Sequence, residues 1–404
     1  MNPERITMYE AERCIRAAEF LRDHGRDSDA IDAAIQYARQ VQVPFLLLDE
    51  KDWNLDRAIE VPSGFRMVAD GVRVKLNDGV FDNIFRPDTV ICREDDPYGF
   101  PMEIKPSQHI QIQGKNGAVL EGPDNHPQMF DPVQQRTREM IGDEWGWRGF
   151  LIFMPRCTGF EIGGFLLRKT RTWAISVERS SQGWLHDLEF RTECKNGDGI
   201  NLRMGCSHIR IENIRGYTSD DMIALNSGAA PLEYPREHYL FPLVPSSYLI
   251  REGEPIEDRY IHDIQIRNVR SATRHYSEAV AFLSNGGHKI YRIQIRDIYD
   301  DNPVEEPKRL NLVGAYYLDY GPGFREGDLA EITIDHVEAN STEQALMFRL
   351  PIRDLRINRV IQNCKTGVVL LATEKNIHIP LPNCISASGR LTAPAEKWVF
   401  CPKE

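Results

Sequence analysis

Three aspartates raise the question of what this chain can do. The segment from Asn196 reads NGDGINLRMGCSHIRIENIRGYTSDDMIALNSG, in which Asp198 precedes Asp220 by 22 residues and Asp221 by 23. Carboxyls brought together in this number are equipped for proton transfer. Like charges packed side by side cannot all stay ionised cheaply, so one holds a proton near neutral pH while another stays charged. Cleavage of a glycosidic bond needs that division: a protonated carboxyl for the leaving oxygen and a carboxylate to activate water or attack. The small residues Gly197, Gly199 and Ser219 beside the acids let a sugar approach. Two plainer readings compete. An isolated NGD or SDD is ordinary turn chemistry, because Asn, Asp and Gly favour bends. Clustered aspartates also take calcium through their oxygens.

The spacing matters because it is also the period of the chain. One pattern recurs: apolar, polar, apolar, two polar or small residues, apolar. It is HIQIQGK from His109, GFEIGGF from Gly159, WLHDLEF from Trp184, HIRIENI from His208, DIQIRNV from Asp263, RIQIRDI from Arg292, EITIDHV from Glu331 and DLRINRV from Asp354. From Gly159 the steps are 25, 24, 55, 29, 39 and 23 residues. The 55-residue step is two coils or one coil with a long loop, and the 39-residue step is one coil with a loop. Alternation over such short runs means strands. Units that cannot bury an apolar face alone must stack on their neighbours. The expectation is an all-β, right-handed parallel β-helix of roughly nine to eleven coils. Asp198 then lies one coil below Asp220 and Asp221 on the same wall, in an open groove, with carboxyls within about 10 Å of one another.

The positioning elements follow. Two helical stretches, 9–23 and a second after Asp27-Ser28-Asp29 with Ala30, Ile31, Ala34, Ile35 and Ala38 on one stripe, form an N-terminal cap over 1–42. Coils occupy 43–374, with long loops at 229–260 and 300–310, and 375–404 is a tail or closing cap. No low-complexity linker divides the chain, so 1–404 reads as a single domain. The net charge of −11 argues against nucleic acid as the main partner. No segment has signal-peptide or bilayer-spanning character, which gives the expectation of a cytoplasmic chain with no membrane partner. The eight cysteines contain no CxxC pair and read as buried thiols; with no His/Cys ligand set, neither a metal nor another cofactor is expected.

The sequence resembles glycoside hydrolase family 28, the polygalacturonase family of the pectin-lyase-like fold, from about residue 25 to about 340. DSDAIDAAIQYA resembles the family's early helix and IQIQGKNGAVLEG its glycine-rich first coil. RGFLIFMPRCTGFEIGGFLLRKTRTWAISV, with Trp173, resembles the coils leading to the site, and NGDGIN and SDDMIALNSG resemble the two acidic motifs. The resemblance implies an inverting mechanism, with Asp220 as general acid and Asp198 and Asp221 activating water. The family's following Gly-His-Gly and Arg-Ile-Lys motifs are absent. Register puts 276–279 near the first and 317–319 near the second. Trp173, Arg274, His275, Tyr276, Glu278 and Tyr317 are therefore the candidate substrate-binding residues. His288 lies one turn too late and reads as a surface turn residue. Trp145, Trp147 and Tyr316 are sugar-stacking or packing residues, and Arg349 is a surface residue or a contact for an anionic sugar.

The function expected is hydrolysis of an α-linked, pectin-like oligo- or polysaccharide. A polysaccharide lyase on the same fold would need a base beside the acids, and no obvious Lys or Arg pairs with them. A non-catalytic carbohydrate-binding solenoid is the third reading.

Overall fold

Stacking begins with the apolar positions of the repeat. In a computed structural model, residues 13–372 are described apart from 24, 94, 97–98, 229–239, 247–252, 273–276, 285–286, 305–307 and 318–323, together with 383–386. Met67, Ile112, Ile162, Leu185, Ile211, Ile266, Ile295, Ile334 and Ile357 pair in parallel register, each with the next. All nine are buried. Burying one such side chain is worth about 1.5–3 kcal/mol, so the column drives the coiling. The polar residues between them face outward, as the period of two demands.

The chain is a right-handed parallel β-helix. Its described residues form a 17-stranded and a 10-stranded parallel sheet, plus two small antiparallel hairpins. The 10-stranded sheet matches the expected number of coils. Ile211 pairs with Ile266, so the 55-residue step is one coil with a long loop, and Ile295 pairs with Ile334, so the 39-residue step is one coil as well.

One register differs from the sequence reading. Phe160 pairs with Gly183 and Ser181 with Ser207, giving steps of 23 and 26 residues instead of 25 and 24. A slip of two residues keeps every side chain on its own face, so alternation alone cannot detect it.

Each long rung of the larger sheet has left-handed backbone near its start and again at a corner five residues on: Asp187, Asn213, Asn268, Asp297 and His336, at φ between 51 and 70°. Short polar side chains tolerate this region best. They also bond along the stack. Asn213 Nδ2 donates to Asp187 Oδ1 at 2.9 Å, Asn268 Nδ2 donates to Asn213 Oδ1 at 2.8 Å, and His336 Nδ1 meets Asp297 Oδ1 at 2.9 Å.

The N-terminal cap holds one α-helix, Asp27–Gln40, and it buries the expected stripe Ala30, Ile31, Ala34, Ile35 and Ala38. The first stretch is not a helix where it is described. Ile15–Arg16 is a strand pairing with Leu46–Leu47, and Ala17–Phe20 is one 3₁₀ turn. Pairing the first coil's open edge outweighs the helical propensity of this short segment.

The corner ladder yields a test. Asn213→Val places a β-branched residue at φ 58° and removes both amide bonds. It should lower stability by about 2–3 kcal/mol in denaturant unfolding. Gln294→Ala, on an exposed face of the same sheet, should change it by no more than about 0.5 kcal/mol.

Candidate active site

The acids are placed by the smaller sheet. Ile200 pairs with Ile223, so Asp198 stands at the position of Asp221, and the Gly199 N–H donates to the Asp221 carbonyl at 2.9 Å. The 23-residue spacing is therefore one coil, and Asp220 lies one residue before the shared position. A Cβ on Gly199 would sit 2.5 Å from the Met222 carbonyl oxygen, so only glycine lets the two rungs approach here.

The column continues in both directions. Ala224 pairs with Ala281, and the Met222 N–H donates to the Glu278 carbonyl at 2.8 Å, which puts Glu278 over Asp221. Val280 pairs with Val313, and Asn311 Nδ2 in turn donates to Glu278 Oε1. On the other side Ile175 pairs with Ile200 and Ile152 with Ile175, which puts Trp173 and then Phe150 below Asp198. One column thus reads Phe150, Trp173, Asp198, Asp221, Glu278, Asn311.

Asp198, Asp221 and Glu278 are buried, at 5%, 3% and 3% exposure, while Asp220 is half-buried. Asp198 Oδ2 accepts from Asn201 Nδ2 at 2.8 Å, and its buried Oδ1 has no partner among the described residues. Asp220 accepts the Asp221 N–H at 3.1 Å and Asn196 Nδ2 at 3.4 Å. Asp221 Oδ1 accepts the Glu278 N–H at 3.0 Å. Arg203 lies 5.0 Å over the Trp173 ring, and its Nη2 donates to the Gly228 carbonyl at 3.1 Å.

Two unit charges one strand spacing apart, roughly 4.8 Å, repel by about 3 kcal/mol at an effective dielectric of 20. The cluster therefore retains protons. Burial, then the Asp220 charge, pushes Asp198 well above the usual carboxylate range. Burial, then Glu278, does the same to Asp221. Burial raises Asp220 against the pull of the Asp221 N–H and Asn196, and raises Glu278 against its hydrogen bonds with Asp221 and Asn311. Burial also lowers Arg309 to about 10, against the attraction of Asp300, Glu278 and Asp221.

The substrate-binding candidates fare differently. Trp173 is buried and offers no open stacking face: Phe150 stacks on it at 5.0 Å and 3°, and Arg203 lies over its ring. Glu278 joins the acids themselves. Arg274, His275 and Tyr276 lie outside the described residues. Tyr317 ends the strand Arg309–Tyr317 opposite Ser284, and 318–323 are not described. The residue stacked on Glu278 is Asn311, not the 317–319 segment, because this coil takes 33 residues. Trp145 and Trp147 are buried packing residues. Tyr316 packs on Ala224, Ala281 and Leu283, where burial and the four carboxylates raise its hydroxyl well above its usual value. His288 is not a surface turn residue: it is buried, with Nδ1 3.1 Å from the Ser227 carbonyl. Arg349 is exposed just past the strand Thr342–Phe348.

Asn196, Asn201 and Asn311 were not singled out from the sequence. The first two stand inside the acidic motif and were legible there. Asn311 was hidden by the irregular coil length.

Elsewhere, His208, His262 and Asp263 bring three ligand atoms within 4.8 Å on the larger sheet. Arg292 already holds both Asp263 oxygens, at 2.7 and 2.6 Å, so that carboxylate is matched by a cation.

No protein-family model matches the sequence, and no curated protein matches it significantly. Solved structures do share the fold. An exopolygalacturonase from Thermotoga maritima is 14% identical with a TM-score of 0.50, over 93% of this chain and 87% of that one. A tailspike protein mutant of E. coli bacteriophage HK620, in complex with a hexasaccharide, is 10% identical with a TM-score of 0.54, over 92% of this chain and 60% of that one. The A-module of the Azotobacter vinelandii mannuronan C-5 epimerase is 12% identical with a TM-score of 0.51, over 89% and 82%. At these identities the likeness is one of fold.

The raised carboxyls set a pH dependence. In the unfolded chain an aspartate ionises near pH 4, while in the fold Asp198 keeps its proton to higher pH. Its contribution to stability is full below the unfolded value and is lost as pH rises through the folded one. Asp198→Asn should therefore gain stability over the native chain as pH rises from about 5 to about 8, read as unfolding midpoints.

Proposed function

We propose that this protein is a glycoside hydrolase that cleaves an α-linked oligo- or polysaccharide of the pectin type, with inversion at the anomeric carbon. The observation that carries the reading is the stacking of Asp198 and Asp221 at one position of adjacent coils, with the more exposed Asp220 beside them. Asp220 is raised above its ordinary value by burial and is the most exposed of the four acids, which suits a general acid. Asp198 and Asp221 flank the place of the attacking water. The water oxygen bonds to the anomeric carbon as the glycosidic bond breaks. The leaving oxygen takes the Asp220 proton, and a carboxylate takes the proton of the water. The T. maritima neighbour is by name an exopolygalacturonase, and the tailspike is bound to a hexasaccharide, so saccharide-handling proteins of this fold support the substrate class.

Oligogalacturonates and neutral α-linked oligosaccharides would serve as probes. New reducing ends without ultraviolet-absorbing unsaturated product, together with an inverted anomer in the first NMR spectra, are expected. Unsaturated product would mean a lyase, net retention would refute the assigned roles, and binding without turnover would leave a carbohydrate-binding solenoid. Asp198→Asn and Asp220→Asn should each lose ~10²-fold or more in turnover. A chelator should leave the rate unchanged, and its loss with rescue by calcium would favour the lyase.

A further inference from the structure

We propose that Glu278 is a positioning residue that shares one proton with Asp221, so that the two carboxyls together carry a single negative charge and the attacking water surrenders its proton to Asp198. Only the last step rests on the hydrolase reading; the sharing stands on the geometry of the pair.

That geometry is specific. Glu278 lies one rung beyond Asp221, and its own N–H donates to Asp221 Oδ1 at 3.0 Å, so the Glu278 backbone holds the Asp221 carboxyl in place. Asn311 Nδ2 holds Glu278 Oε1 and turns the other oxygen away from itself. That oxygen, Oε2, is buried and finds no donor among the described residues. Buried carboxylate oxygens are seldom left without a donor. With the Asp221 carboxyl stacked one rung away, a proton held between the two carboxyls would supply that missing donor. Burial pushes both carboxyls above the usual range, so the pair retains a proton.

The surroundings agree. Asp198 faces the pair from the preceding rung and Asp220 from the rung of Asp221 itself, and both favour protonation of Asp221. Arg309 and Tyr316 face it from the following strand. Arg309 is the cation that attracts Glu278, and it also serves Asp300. Arg309, shared with Asp300, is the cation a second charge on the Asp221–Glu278 pair would have to draw on, while Arg203 attracts Asp198. The Asp221–Glu278 pair is then held in place by its shared proton, and Asp198, once ionised, accepts the proton of water.

The full-length protein, carbon-13 labelled at Asp and Glu carboxyls, tests this by NMR titration. The resonance lost in Asp221→Asn and the one lost in Glu278→Gln should titrate together in two coupled steps. In Glu278→Gln the Asp221 midpoint should fall by about one pH unit or more. In Asp221→Asn the two coupled steps should collapse to a single Glu278 step, which keeps the test decisive if the first variant does not fold. An Asp221 midpoint unmoved by Glu278→Gln, or independent single-step titration of the two, would overturn the sharing. With an oligogalacturonate probe, Glu278→Gln should lower kcat about tenfold or more at unchanged KM and displace the pH profile, and Glu278→Asp should recover part of both. An unchanged profile would overturn the positioning role. If the native protein cleaves no probe, the hydrolase reading fails while the titration still decides the sharing.

Discussion

Everything in this molecule depends on parallel register. Once one rung is paired with the next, each side chain meets the residue at its own position one coil away. Where that position is Ile or Leu, stacking builds the core. Where it is Asn or Asp at a left-handed corner, stacking builds an amide ladder. Where it is Asp198, Asp221 and Glu278, the same constraint presses acids together that would otherwise separate. The favourable columns hold the unfavourable one in place. Each buried apolar side chain contributes about 1.5–3 kcal/mol, and dozens of them outweigh a repulsion of about 3 kcal/mol for a pair of charges.

This constraint also explains what the sequence could reveal. Period-two alternation and a returning step identify a β-helix, and a spacing of 23 residues then stacks Asp198 on Asp221. Alternation is blind to a slip of two, which is why the rung at Trp184 was misaligned. It is also blind to loops inside a coil, so the 33-residue step from Glu278 concealed Asn311. Ile15–Arg16 pairs as a strand because an open sheet edge was available, and no local pattern encodes that. The sequence makes Trp173 a substrate-binding candidate. Only the register shows Phe150 on one rung and Arg203 over the ring.

The fold by itself does not choose a reaction. A hydrolase, a tailspike and an epimerase share this architecture with the chain. The choice lies in which side chains occupy a few stacked positions. Here the position beyond Asp221 is an acid, and the one beyond that is an amide.

That choice stands out against three other buried acids of this chain. Asp82 is met by Arg86 and Arg148, at 2.5 and 2.6 Å, and is held below the usual range despite burial. Glu121 is met by Arg168, Lys169 and Lys75, and is held low in the same way. Asp131 has Arg138 at 2.6 Å and is lowered too. The clustered carboxyls instead receive amides: Asn201 on Asp198, Asn196 on Asp220 and Asn311 on Glu278. Glu178, which accepts from the Ser246 hydroxyl and N–H, follows the second pattern and rises to about 7. A guanidinium would fix a carboxylate in its charged form, whereas an amide orients it and leaves its charge free to change. These three structural acids are matched with cations and the stacked acids with amides. That difference lets one group of carboxylates anchor coils while the other can still exchange protons.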